Sequence, residues 1–276
     1  MKKYLPLLGL VLAILPATAQ QQHSLEKLWT SDSTLKTPES VLLDTKNKCL
    51  YVSNIDGGPL EKDGKGSIAK LGLDGKILQQ DWVSGLNAPK GMGLYKDKLY
   101  VADLTEVVVI DVKKAQIEKR IPVEGAIMLN DISIDKTGRV FVSDSRNFKV
   151  HRIENGNVFT ELEKLQGPNG VLSINNDLLV LDRGSLLHMK ADGQISKLAE
   201  GMDPSTDGIE QVKEHEYLVS CWSGIIYYVH AGGQKQVLLD TRQEKINTAD
   251  IGYDAKNRIL YVPTFYKNTV VAYRLQ

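Results

Sequence analysis

The chain is poor in cysteine and carries no excess of charge, and each scarcity removes a class of function. Its 34 basic residues are matched by 34 acidic ones, so no basic surface awaits a polyanion and a nucleic-acid partner is not expected. After residue 19 no apolar run approaches the ~18 residues of a spanning helix, so no membrane insertion is expected. No Pro- or Ser-rich linker interrupts the chain, which points to one domain. Only Cys49 and Cys221 could form a disulfide. They fall in the first and fifth of the repeats described below, which are not neighbours in a ring of six. A bond needs Cα atoms within about 7 Å, so two free, largely buried thiols are expected.

The first residues stand apart. Lys2 and Lys3 precede an apolar stretch from Leu5 to Leu15, and Ala17-Thr18-Ala19 forms a small-x-small cleavage site. Residues 1–19 therefore read as a secretory signal peptide and residues 20–276 as the mature domain, placed in the periplasm or secreted. No cysteine follows the cleavage site, so a lipid anchor there is not expected.

What is abundant is repetition. A valine-centred apolar run occurs as LYVSN (Val52), LYVAD (Val101), VFVSD (Val142), LLVLD (Val180), YLVSC (Val219) and LYVPT (Val262), at intervals of 49, 41, 38, 39 and 43 residues. Periods near 40 with strand-like runs indicate a propeller or a solenoid. The fourth repeat resolves into VLSI, LLVLD, LLHMKA and QISKLA, joined by Asn175-Asn176 and by the hairpin signal Asp192-Gly193. Six such units predict an all-β, six-bladed β-propeller. The last repeat, ending at VVAYRL (270–275), is one strand short, while LEKLWT (25–30) precedes the first repeat without a partner. Pairing the two would close the ring.

Eleven to thirteen residues before each valine lies a second marker: Glu39, Lys90, Asn130, Asn169, Asp207 and Asp250. First strands line the channel of a propeller, so these side chains are expected to face one another at one mouth. Converging carboxylates repel unless a cation, a proton or Lys90 compensates them. Carboxylate and amide oxygens without thiolate or imidazole suit a hard cation, and Ca²⁺ tolerates irregular oxygen sites better than Mg²⁺. Solvated polar caps are the plainer reading of such a ring.

Glu39 in TPESVLLD, Asn130 in LNDISIDKTGRVFVSD, Asn169 in GPNGVLSI and Asp207 in TDGIEQV resemble the metal-site motifs of the senescence-marker-protein/gluconolactonase, or regucalcin-like, family. The similarity spans nearly all of residues 20–276. It implies a six-bladed propeller with one divalent cation, Ca²⁺ foremost and Zn²⁺ or Mg²⁺ as alternatives, held by Glu39, Asn169 and Asp207. It also implies hydrolysis of a small lactone or related ester, with Asp207 as a candidate catalytic base and Asn130 near the substrate. Lys90 and Asp250 complete the expected substrate-binding set, Lys90 as the group that would hold an anionic substrate. The family's sugar lactonases carry an arginine two residues before the asparagine, where this chain has Met128.

Two further readings stay open: a non-catalytic propeller binding a small ligand or protein, and a strictosidine-synthase-like member. The protein is expected to act as a monomer. The loop NIDGGPLEKDGKG (54–66) lacks EF-hand spacing and reads as an enlarged first-blade loop overhanging the mouth. Asn54, Asp103, Asp144 and Asp182 recur too regularly for catalysis and are expected to hydrogen-bond blade turns. Trp82, Trp222, Phe265 and Tyr266 are candidates to line the mouth, with packing between blades as the commoner role.

Overall fold

A computed structural model describes residues 22–276, so the expected signal peptide at 1–19 lies outside the described residues. Strands form six four-stranded antiparallel sheets. The first comprises Pro38–Asp44, Cys49–Asn54, Gly66–Gly72 and Ile77–Leu86. The inner strands of the second to fifth blades are Pro89–Tyr95, Leu129–Ile134, Pro168–Ile174 and Thr206–Lys213. In the sixth, Gly252–Asp254, Ile259–Pro263 and Val270–Leu275 are completed by Leu25–Thr30 on the outside. That pairing sets Leu25 opposite Leu275 and Thr30 opposite Val271, closing the ring as expected. The expected six-bladed propeller is therefore the fold.

The valine of each repeat sits in the second strand of its blade and is fully or almost fully buried. Alternate side chains of a strand point to opposite faces, so each sheet contributes apolar residues to two inter-blade clusters. Val101 and Val108 pack with the first blade, for example, while Ala102 and Val107 pack with the third. Turn chemistry follows the sequence signals. Asn155 and Gly156 both have positive φ, 52° and 81°, as a two-residue type I′ hairpin demands.

The carboxylates and amide that end the second strands do cap the blade turns. Asp103 accepts from the amides of Asn87 and Ala88, Asp144 from Ile127 and Met128, and Asp182 from Gln166 and Gly167. Asn54 Oδ1 accepts from Lys36 N at 3.2 Å. Cys49 and Cys221 are free and buried. Among the described residues no helix is long and apolar enough to cross a membrane.

Candidate functional site

Strand register defines which side chains share a level of the channel. Val41, Met92, Ile132, Val171 and Ile209 lie opposite the repeat valines 52, 101, 142, 180 and 219. In the sixth blade Gly252 faces Tyr261, so Ile251 occupies the equivalent level. Two residues earlier come Glu39, Lys90, Asn130, Asn169, Asp207 and Ala249. Five of the six sequence markers thus form one ring. Asp250 does not belong to it: alanine holds that level, and Asp250 sits one residue deeper with Ser40, Gly91, Asp131, Gly170 and Gly208. The reason is turn length, since a marker-to-valine distance of 11 to 13 residues admits both 249 and 250.

The deeper level is where the blades touch. A Cβ on Gly91 would lie 2.5 Å from Asp131 Cα, one on Gly170 2.3 Å from the Asp207 carbonyl, and one on Gly208 2.4 Å from Asp250 Oδ1. Glycine is required there by close approach of neighbouring backbones. Where the level carries acid, the acid bonds to the next blade. Asp131 Oδ2 accepts from Val171 N at 2.7 Å, and Asp250 Oδ2 from Ser40 Oγ at 2.5 Å. Asp131, Asp250, Ser40, Ser133 and Glu210 line a cavity of about 190 Å³ on the channel axis.

At the mouth, Glu39, Lys90, Asn130 and Asp207 are buried and Asn169 is half-buried. Asn169 Nδ2 donates to Asp207 Oδ1 at 2.9 Å. This fixes the amide's orientation, because only its nitrogen can donate to a carboxylate, and leaves Asn169 Oδ1 buried without a partner. Glu39 Oε2 is likewise buried and unpartnered. Burial and then the charge of Asp207 hold Glu39 well above the usual carboxylate range, with Lys90 opposing. Burial and Asp250 do the same to Asp207, against the Asn169 hydrogen bond and Lys90.

Lys90 is anchored by its own surroundings. Its ammonium donates to the carbonyls of Pro59 and Ala88, each at 3.0 Å. Burial lowers its pKa, while Glu39 raises it through space. The contact with Pro59 brings the 54–66 loop to the channel mouth, as expected. Asn130 Nδ2 donates to Ser145 Oγ at 3.0 Å, and that hydroxyl donates to the carbonyl of Pro168 at 2.6 Å, beside Asn169. Among the described residues no group of three or more His, Cys, Asp and Glu side chains is placed to hold a metal. The donor set that does fit a hard cation mixes amide with carboxylate: Glu39 Oε2, Asn169 Oδ1 and the Asp207 carboxylate.

The deeper carboxylates Asp131 and Glu210 were not marked by the repeat pattern. Asp131 follows a marker directly and could have been found by aligning strands rather than single polar residues. Glu210 carried no signal in sequence.

No family of known proteins matches the chain, and no curated protein does. Solved structures match its shape. A catalytically inactive virginiamycin B lyase from Staphylococcus aureus with quinupristin is 13% identical, with 92% of this chain and 99% of that chain covered and a TM-score of 0.64. A structural genomics protein of unknown function from Bacteroides thetaiotaomicron is 13% identical, with 93% and 77% covered and a TM-score of 0.66. A chain of a nidogen/laminin complex is 16% identical, with 79% and 84% covered and a TM-score of 0.65. At these identities the likeness is one of propeller fold, shared with a lyase and with a protein of an intermolecular complex.

Proposed function

We propose that this chain is a divalent-cation-dependent hydrolase of a lactone or related ester, exported by its N-terminal segment and working at the channel mouth that holds Glu39. The observation that carries the reading is the pair of buried, partnerless oxygens, Glu39 Oε2 and Asn169 Oδ1, beside Asp207. Leaving each such group unsatisfied costs about 1–3 kcal/mol, which a bound cation would relieve. Ca²⁺ is the cation the oxygen set favours, with Zn²⁺ and Mg²⁺ as alternatives. Held there, it would polarise the carbonyl of a bound ester.

The chain's own groups supply the remaining chemistry. Asp207, fixed by Asn169 and kept basic by burial and by Asp250, is the group to take a proton from the attacking water. Asn130, oriented by Ser145, stands beside the substrate. Lys90, steadied on two carbonyls, offers positive charge to a substrate carboxylate. Asp250 lies below the ring and acts through space on Glu39 and Asp207.

The rival reading is a non-catalytic propeller that binds a ligand or protein. The Lys90 ammonium favours it, because a positive charge beside Glu39 and Asp207 opposes a divalent cation. Calorimetry of Ca²⁺ binding to chelator-free protein, followed by a panel of lactones with and without the metal, separates the two. Metal-stimulated turnover supports the hydrolase, and binding without turnover of any lactone or ester supports the rival.

A further inference from the structure

Three aromatic rings meet at the rim between the fifth and sixth blades. Trp222 follows the second strand of the fifth blade, with its amide donating to Ser205 O and its carbonyl accepting from Asn247 Nδ2, each at 2.8 Å. Phe265 and Tyr266 lie in a short 3₁₀ turn, Phe265–Lys267, after the second strand of the sixth blade. The ring centroids are 5.5 Å apart for Trp222–Phe265, 6.0 Å for Trp222–Tyr266 and 4.7 Å for Phe265–Tyr266, all near perpendicular.

This wall stands against the ring of polar side chains. Phe265 packs with Ile55, Ala88, Leu104 and Ala249, and Ala249 is the sixth blade's member of that ring. Asn268 Oδ1 accepts from Thr37 N at 3.0 Å, tying the turn to the chain two residues before Glu39. Phe265 holds a φ of 48°, a left-handed conformation that costs a bulky L-residue on the order of 1–3 kcal/mol. In this turn Phe265 is buried while Tyr266 is 64% exposed, and Trp222 is 38% exposed. The same left-handed φ recurs at the equivalent blade-turn residues Leu104 (58°) and Arg183 (46°), so this conformation belongs to the turn, and it is the turn that sets the two rings at the rim.

The polar members of the mouth leave little for a sugar. Asn130 and Asn169 each commit one amide N–H to Ser145 and Asp207, Lys90 commits its ammonium to two carbonyls, and Met128 brings no donor. The two partnerless acceptors, Glu39 Oε2 and Asn169 Oδ1, are the ones proposed for the cation. Sugar hydroxyls buried without partners would oppose binding. We propose that Trp222 and Tyr266, backed by Phe265, form the specificity pocket for a flat apolar ring, so that the substrate is an aryl-bearing lactone or ester rather than a polyhydroxylated one. For the reaction this rests on the hydrolase reading; for binding it stands alone. Hydrolysis of such a lactone, dihydrocoumarin for example, consumes one water. A C–O bond forms at the carbonyl, the ring ester C–O bond breaks, and the phenolate oxygen receives a proton.

Two hydrolytically stable lactams test the pocket without turnover: 3,4-dihydro-2-quinolinone, which carries the aryl ring, and δ-valerolactam, which lacks it. Calorimetry with Ca²⁺ present is expected to show at least tenfold tighter binding of the aryl lactam. Tyr266→Ala and Trp222→Leu should each weaken it by roughly 3- to 10-fold, with Tyr266→Phe near the parent and Ca²⁺ affinity unchanged. Equal affinities, no binding of either lactam, or an indifferent Tyr266→Ala would overturn the pocket. Rates on dihydrocoumarin and gluconolactone then tell the two readings apart. Aryl-lactam binding with no lactone turned over leaves the pocket standing and the hydrolase fallen; turnover of both lactones without aryl preference does the reverse.

Discussion

At the scale of single residues, the mouth is a contest between oxygens that lack a partner and one ammonium that repels any cation. Asp207→Ala removes one of the two carboxylates proposed to hold the cation and frees the Asn169 amide that it orients. Calorimetry should show Ca²⁺ affinity falling by at least a hundredfold, together with loss of any Ca²⁺-linked rise in melting temperature; unchanged binding would refute the ligand assignment. Lys90→Met tests the other side. Its charge acts on Glu39 and Asp207 through space, so its removal should tighten Ca²⁺ on the order of tenfold. Turnover of an anionic lactone should fall more than that of a neutral one, if Lys90 holds the substrate carboxylate. Tighter metal with equal loss on both substrates would confine Lys90 to electrostatics.

At the scale of elements, the closure of the ring hangs on a six-residue strand at the start of the described chain. Trp29 on that strand lies 5.9 Å from the Tyr261 ring, donates its indole N–H to Leu73 O, and covers the Gly75 turn so tightly that a Cβ there would lie 2.5 Å from it. Trp29→Ala strips the closure of its contact with the first blade. We expect a loss of about 2 kcal/mol and a melting temperature lower by about 4–8 °C in differential scanning calorimetry. An unchanged melting temperature would mean that backbone pairing alone closes the ring. Strand repetition made this closure legible, because LEKLWT and VVAYRL were the two pieces without partners and hydrophobic alternation survives changes in turn length. The candidate site was legible only where the turn kept its length. Five markers share a level, but Asp250 and Ala249 both fit the spacing, and only the pairing of Gly252 with Tyr261 decides between them. Trp222, Phe265 and Tyr266 were legible as candidates for the mouth but their meeting was not, because the rings come from turns in two blades and no local pattern reports it. Trp82, the fourth candidate, packs on Tyr51 between blades instead.

At the scale of the whole molecule, the channel stores acid. Asp131, Asp250 and Glu210 line the axial cavity, and among the described residues lining it none is basic. Burial pushes Asp250 up to about 7; burial, reinforced by the charge of Asp250, pushes Glu210 up to about 8 and raises Asp131. A carboxyl whose folded pKa is raised binds its proton in the folded state over a range where the unfolded chain has already released it. Stability contributed by that proton is present at the acid end and is lost as pH rises from the ordinary value of 4.5 for Glu210 towards about 8. Urea unfolding of chelator-treated protein should therefore show greater stability at pH 5 than at pH 8, by on the order of a few kcal/mol. Glu210→Gln keeps the shape and removes the titration, so its stability should change less over the same interval and exceed the parent's at pH 8. A parent that grows more stable between pH 5 and pH 8 would show that the channel acids are ionised in the folded state, stabilised by water reaching the cavity. Repeating the titration with saturating Ca²⁺ tests the proposed site: because Asp250 acts through space on Glu39 and Asp207, a cation bound beside them would flatten the slope while leaving the Glu210→Gln difference in sign.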